Sequence, residues 1–457
     1  AWAPHVAPDA LDRARRLLAA WDAMSLALCT GAPRWRVPNV PRADGSAGDV
    51  LVTRTEGGAA VDPWPFAADG VTVRCDGRRI GAVAFDGSTH NAVLLDGAMR
   101  PVRRTIMWTD QRSTEECAFL RERHEKLIFE TAYQMPTPTW TLPQLRWIAT
   151  HEPEVPKKTK HILFVKDFVR FLVTGVAATD HIEAQGTLFY EMKARAWSRE
   201  LFELTGFDFA ALPELAEPTA RLGKVTAQAA ADTGIPAETP VICGTSDSAV
   251  EDYGAGAIEP GDCIVKLATA GNVNVMTSSP HPFATTLTYS HVIPGMWYTV
   301  SATNAAALCQ RWFRDLFGEA EKAEAEQSGL KAFDLMDRRA AASPVGANGV
   351  MFHPYLQGER SPYWDPKLRG SFTGISINST RGDFMRALLE GVAFSLLDCY
   401  GVIEEMKLPV KRIFLIGGGA RSPLWSGIVC DVFNLPVAVP SPGDASFGAA
   451  LLAGTGI

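Results

Sequence analysis

The stretch Ile413-Phe414-Leu415-Ile416-Gly417-Gly418-Gly419-Ala420-Arg421-Ser422-Pro423-Leu424-Trp425 constrains the fold more than any other. An apolar run of strand length empties into three glycines, and Ser422 then caps a helix with Pro423 in its first turn. A strand feeding directly into a helix is the unit of a sheet covered by helices on both faces. Similar strand ends lie upstream. Val241–Cys243 runs into Gly244-Thr245-Ser246-Asp247, and Cys263–Leu267 runs into Ala268-Thr269-Ala270-Gly271. Helices are expected near 304–316 and 381–404, with a strand at Arg412–Ile416.

The earlier half reads in the same terms. Ile80–Phe85 and Ala92–Asp96 are strands divided by the polar turn Asp86–Asn91, and the apolar run Thr105–Trp108 reads as a third. A helix at 113–127 opens on Ser113-x-x-Glu116, a capping box. Helices follow near 142–150 and 162–174, the latter stopped by Gly175. Residues 1–79 are the least legible: a helix at Ala10–Ala23, then a Pro/Gly-rich loop at Thr30–Asp49.

A chain of 457 residues exceeds what one core serves, so two α/β lobes are expected, 1–239 and 240–457, with a ligand cleft between them. The net charge of −7 argues against a nucleic-acid partner. No apolar run approaches the ~18 residues of a membrane span, and the first residues lack a secretory pattern. The eight cysteines are scattered without a C-x-x-C pair, which suggests buried thiols in a reducing cytoplasm.

Three constellations can carry chemistry. The Gly417–Ala420 turn lets a ligand approach the backbone, and the helix behind it favours phosphate; the alternative is a tight connection with no ligand. Thr269 and Gly271 stand in a strand-to-strand turn that either aims N–H donors at a phosphate or is a plain hairpin. Asp247, after three small residues, is either a proton acceptor at a strand end or a helix N-cap, with Glu251 and Asp252 adding to an acidic helix start.

Tyr355-Leu356-Gln357-Gly358-Glu359-Arg360-Ser361-Pro362-Tyr363-Trp364-Asp365-Pro366, with Arg369-Gly370-Ser371-Phe372-Thr373-Gly374, resembles the C-terminal signature of the FGGY carbohydrate kinases. Arg386–Phe394, Gly417–Trp425 and Gly443–Ala450 match further parts of that family's pattern. In the first lobe Trp108-Thr109-Asp110-Gln111-Arg112 is similar to its W-x-D-x-R, and Lys166-Asp167-Phe168 with Leu172-x-Thr174-Gly175 and Thr179-Asp180 to its helical segment. The ordered match spans roughly residues 80–457.

The resemblance implies two actin-like, ribonuclease-H-like lobes, with sugar held mainly by the first and ATP with Mg²⁺ mainly by the second. It implies a small-sugar substrate, D-xylulose above ribulose, glycerol or gluconate, and a homodimer. A non-catalytic actin-like binding protein is the reading from another class. By position, Asp247 matches the catalytic base, Thr269 and Gly271 the loop near the β- and γ-phosphates, and Gly417, Gly418, Gly419 and Ala420 the adenosine turn. Thr89-His90 falls where xylulose kinases carry a Met-His pair that touches sugar, with a structural turn as the alternative. Trp108, Asp110 and Arg112 either line the sugar pocket or hold their loop through a buried Asp110–Arg112 ion pair. Glu359–Arg360 and Asp365–Arg369 read as structural.

The chain departs from the family in two places. The D-x-G-T-[ST] phosphate loop expected near the start is not found in residues 1–79, where Asp49–Thr53 and Gly57-Gly58 are poor substitutes. Either this chain joins segments across gaps or starts oddly, so that the loop is missing from it alone, or the protein lacks the loop and is a poor or inactive kinase. Ala268-Thr269-Ala270 also stands where most relatives have Gly-Thr-Ser, one hydroxyl donor fewer.

Overall fold

The computed structural model describes residues 80–440 and 444–457, together with the short strands Leu26–Thr30, Val40–Pro41, Ala47–Gly48, Leu51–Val52, Thr55–Glu56, Ala59–Ala60 and Thr72–Val73. Within the expected loop Thr30–Asp49, Val40–Pro41 pairs antiparallel with Ala47–Gly48. The expected helix Ala10–Ala23 lies outside the described residues.

Two compact units emerge: residues up to Ala132, Pro136–Glu251 and Ala445–Ile457 in the first, Tyr133–Met135 and Asp252–Asp444 in the second. The division therefore falls after Glu251 rather than at Pro240. The reason is pairing: Pro240–Ile242 adds to the first unit's sheet, and the last helix, Ala445–Thr455, returns to that unit.

The first unit's sheet runs in the order Leu26–Thr30, Ile80–Gly87, Pro240–Ile242, Arg221–Lys224. Ile80–Gly87 is central, antiparallel to the first strand and parallel to Pro240–Ile242. Alternation of side chains along a strand gives it two faces. Ala82 and Ala84 pack with Ile242 against Ala453 of the last helix. Val83 and Phe85 pack with Val241 against Val169 and Val173 of the helix Val165–Thr174.

Two local expectations are corrected. Thr105–Trp108 forms no strand: the Trp108 N–H donates to Asn91 Oδ1 at 2.6 Å instead of to a neighbouring strand. The apolar run at 162 opens as the strand His161–Phe164, paired with Ala92–Leu95, and the helix begins only at Val165. Gly175 ends that helix in the left-handed region, as its position predicts.

The second unit is a six-stranded sheet ordered Leu287–Ser290, Trp297–Thr303, Gly271–Thr277, Asp262–Leu267, Arg412–Ile416, Val437–Ala438. The first four strands are antiparallel neighbours and the last three parallel ones. The long helix Arg381–Glu405 lies on it, burying Leu388, Leu389, Val392 and Leu396 against Val265, Leu267, Val273 and Val275. A full capping box starts that helix: the Thr380 hydroxyl accepts from the Asp383 N–H, and the Asp383 carboxylate accepts from the Thr380 N–H.

Candidate functional site

Each unit presents its candidate residues at the C-terminal ends of two neighbouring parallel strands, where side chains and turns leave the sheet and ligands bind in such folds. In the first unit Ile80–Gly87 leads into the turn Ser88–Asn91, and its partner leads through Thr245-Ser246 to Asp247. Ser246 pairs with Gly87, so the two turns are neighbours. Gly244 makes the passage possible: at φ 74° it avoids a Cβ that would stand 1.8 Å from the Phe85 carbonyl.

Asp247 opens the helix Asp247–Gly254 and is not its N-cap. Ser246 takes that role, its Oγ accepting from the Ala249 N–H at 3.2 Å. Among the described residues the half-buried Asp247 carboxylate accepts from the neighbouring Ser248, N–H at 2.7 Å and Oγ at 3.3 Å. An acid in a first helical turn is favoured by the helix dipole and remains available as a proton acceptor.

His90 is buried at φ 56° beside the half-buried Thr89. Its N–H donates to Glu183 Oε1 at 2.6 Å, and its carbonyl accepts from Thr141 Oγ1 at 2.6 Å. The ring lies 4.8 Å from the Trp140 ring, and neither ring nitrogen makes a well-formed hydrogen bond among the described residues. Burial pushes the imidazole down to about 3, and the nearby Thr139 backbone offsets only part of that. His90 is thus a neutral imidazole whose ring nitrogens make no well-formed hydrogen bond among the described residues, the Thr139 backbone being a polar neighbour.

Asn91 joins this turn to Trp108, its amide donating to the Ser88 and Thr89 carbonyls and its Oδ1 accepting from Trp108. Asp110 and Arg112 form a two-pronged pair at 2.9 and 2.7 Å, and Arg112 lies over the Trp147 ring. That pair is open to solvent, with Arg112 42% exposed, so of the two alternatives the ion pair is present but is not buried. Arg112 holds the Asp110 carboxyl below the usual range.

Behind these turns lies a fully buried charge network. Lys166 Nζ reaches Asp167 at 2.6 Å and Asp180 at 2.7 Å, and Arg170 reaches Asp167 at 2.7 Å and the Cys243 carbonyl at 2.9 Å. Burial opposes the Lys166 charge, but Asp167 and Asp180 outweigh it and hold the ammonium above the lysine range. Asp180 Oδ1 accepts from Thr245 Oγ1 at 2.6 Å and caps the short helix His181–Gln185. Paired charges of this kind fix geometry more than they add stability.

In the second unit Asp262–Leu267 and Arg412–Ile416 are parallel neighbours, so the Ala268–Ala270 turn and the Gly417 turn stand side by side. Gly417, at φ 90°, meets Leu267 so closely that a Cβ would lie 2.6 Å from its carbonyl oxygen, and a Cβ on Gly419 would lie 2.8 Å from Leu267 Cβ. Gly418 faces open space. The tight-connection reading therefore accounts for two of the glycines and leaves Gly418 as exposed backbone beside the buried Ala420. Ser422 caps the next helix by accepting from the Trp425 N–H at 3.0 Å. Gly271 is packed against Leu396 and Thr303. Glu359 accepts from the Thr303 hydroxyl and from the Asn304 and Arg360 N–H groups, which ties the signature segment to the sheet and supports its structural reading.

Sequence reasoning missed Arg311. It stands in the helix Ala307–Phe317, whose first N–H groups donate to the Ala268 and Thr269 carbonyls, and its Nη2 lies 3.2 Å from Thr269 Oγ1. A guanidinium thus stands at the turn that has one hydroxyl fewer. The contact crosses 42 residues, and no local pattern marks it.

Residues 71–254 match the N-terminal domain of the FGGY family of carbohydrate kinases, and residues 265–457 match its C-terminal domain. Residues 3–82 match a different family, of unknown function (DUF3891). The chain is 32% identical to the xylulose kinase of Lactococcus lactis over 78% of its own length and 70% of that protein's. It is 29% identical to a Bacillus subtilis gluconokinase, covering 82% of the chain and 74% of the relative. The crystal structure of xylulose kinase from Rhodospirillum rubrum superposes with a TM-score of 0.72 at 30% identity, over 81% of this chain and 74% of that one.

Proposed function

The chain belongs to the FGGY family of carbohydrate kinases, with its two actin-like lobes, and from that premise we propose that it moves the γ-phosphoryl group of ATP to D-xylulose, forming the 5-phosphate. The observation that carries the reading is the placement of Asp247 and the buried, neutral His90 just beyond two paired strand ends. Asp247 accepts the proton of the terminal sugar hydroxyl as its oxygen bonds to the γ-phosphorus and ADP leaves. The His90 imidazole donates to one sugar hydroxyl and accepts from another, with Thr89 and Trp108 beside it; Asp110 and Arg112 shape the loop that carries Trp108.

On the nucleotide side, Thr269, Gly271 and Arg311 take the β- and γ-phosphates, and the turn Gly417, Gly418, Gly419 and Ala420 takes the adenosine. Mg²⁺ comes in on the phosphates, the habit of an ion that keeps much of its water. No group of three or more His, Cys, Asp or Glu residues is placed to hold a metal ion among the described residues. Bound there, Mg²⁺ would neutralise phosphate charge. The cysteines among the described residues are free, which supports a reducing cytoplasm. No helix among the described residues is long and apolar enough to cross a membrane. We place the chain as a homodimer by analogy with its family.

The gluconokinase match favours gluconate as a second reading. A panel of D-xylulose, ribulose, glycerol and gluconate, each assayed for ADP release, separates the two. The highest kcat/KM with D-xylulose is expected, and preference for gluconate would replace it. Release with none of the four would overturn the kinase proposal.

A further inference from the structure

We infer that Glu183 is the positioning residue for the acceptor sugar, holding His90 in the backbone conformation that presents its ring; this rests on the role of His90 proposed above. A left-handed φ of 56° is sparsely populated by a residue with a Cβ and persists only where the surroundings impose it. Three features impose it here. Glu183 Oε1 accepts the His90 N–H at 2.6 Å, Thr141 donates to its carbonyl, and Gly186 leaves the space where a Cβ would stand 2.8 Å from Nδ1. Glu183 is fixed in turn. It belongs to the helix His181–Gln185, whose cap Asp180 also accepts from Thr245 two residues before Asp247. One short segment therefore grips both the sugar turn and the strand that carries the base.

The chemistry of the grip can be specified. Burial, aided by the charges of Asp167 and Asp180 against the pull of Lys166, raises the Glu183 acid well above the carboxylate range. Oε1 is the acceptor for the His90 N–H, while Oε2 is buried with no hydrogen-bond partner among the described residues. A glutamine keeps a carbonyl acceptor for the His90 N–H, whereas a counter-ion to Lys166 would need the charge.

The test uses the full chain, with D-xylulose and ATP varied separately. Glu183→Gln is expected to keep both KM values within about twofold, and Glu183→Ala to raise the sugar KM about tenfold or more with the ATP KM unchanged. Should Glu183→Ala fail to fold, Glu183→Asp, which keeps the acid and shortens its reach, carries the same prediction. The His90 ring signals in NMR give a readout independent of turnover: they move in the alanine or aspartate variant and stay in the glutamine variant. Equal damage from Glu183→Gln and Glu183→Ala would assign a charge role and overturn the inference, as would an unchanged sugar KM and unmoved His90 signals in the alanine or aspartate variant. A wild-type chain that turns over no sugar would instead overturn the proposed function, leaving the NMR comparison to decide this one.

Discussion

His90 and Asp247 are prepared for chemistry in opposite ways. Among the described residues His90 is buried and neutral with no well-formed ring hydrogen bond, while Asp247 is half-buried and accepts from its neighbour Ser248. Because burial takes the imidazole from its ordinary 6.5 down to about 3, it stays deprotonated from pH 8 to pH 5. Its ring resonances are expected to hold constant across that range in an NMR titration; a midpoint near 6.5 would mean an exposed ring. The sign for stability follows from the lowered value: as pH falls below 6.5 the unfolded chain takes up this proton first, so His90 withdraws stability on acidification, by up to ~1.4 kcal/mol per pH unit. Arg311 carries a separate prediction. Arg311→Ala should raise the ATP KM roughly five- to tenfold, as expected for loss of one charge-assisted contact, and leave the sugar KM alone; an unchanged ATP KM would remove Arg311 from the phosphate site. At this scale legibility depended on distance along the chain. Asp247 and His90 stand in recognisable local patterns, but the Glu183–His90 contact spans 93 residues and depends on a fold no local pattern encodes.

The elements were legible where two signals agreed. Arg412–Ile416 ends where its glycines begin, and Ser422 with Pro423 starts a helix, because an apolar run and a cap coincide there. They were misread where an apolar run stood alone. Thr105–Trp108 has the composition of a strand but no partner ladder, and residues 162–164 have the apolar content of a helix but pair as a strand with Ala92–Leu95. The glycine turn gives a contrast that belongs to this scale. Gly417→Ala should cost at least ~2 kcal/mol in denaturant unfolding, since its φ and the Leu267 carbonyl both exclude a Cβ. Gly418→Ala should leave stability nearly unchanged, its Cβ meeting nothing within 4 Å, yet weaken ATP binding. Equal loss of stability in both would mean a purely structural turn. Ser422→Ala should cost ~1 kcal/mol through the lost cap.

For the whole molecule, composition predicted two α/β bodies, and pairing decided where they divide. Pro240–Ile242 precedes the catalytic candidate in the chain and belongs by hydrogen bonding to the first unit's sheet, which sequence order alone could not reveal. The family match begins at residue 71, and residues 3–82 match a family of unknown function where the D-x-G-T loop was expected. Thr269, Gly271 and Arg311 are the phosphate contacts proposed among the described residues, serving a working kinase with Asp247 as its base. The most direct measurement is D-xylulose-dependent ADP release by the full chain and by its Asp247→Ala variant, with ATP binding followed by calorimetry. Turnover is expected to fall by ~10²-fold or more in the variant while ATP binding persists. Near-normal turnover in Asp247→Ala would contradict Asp247 as the base.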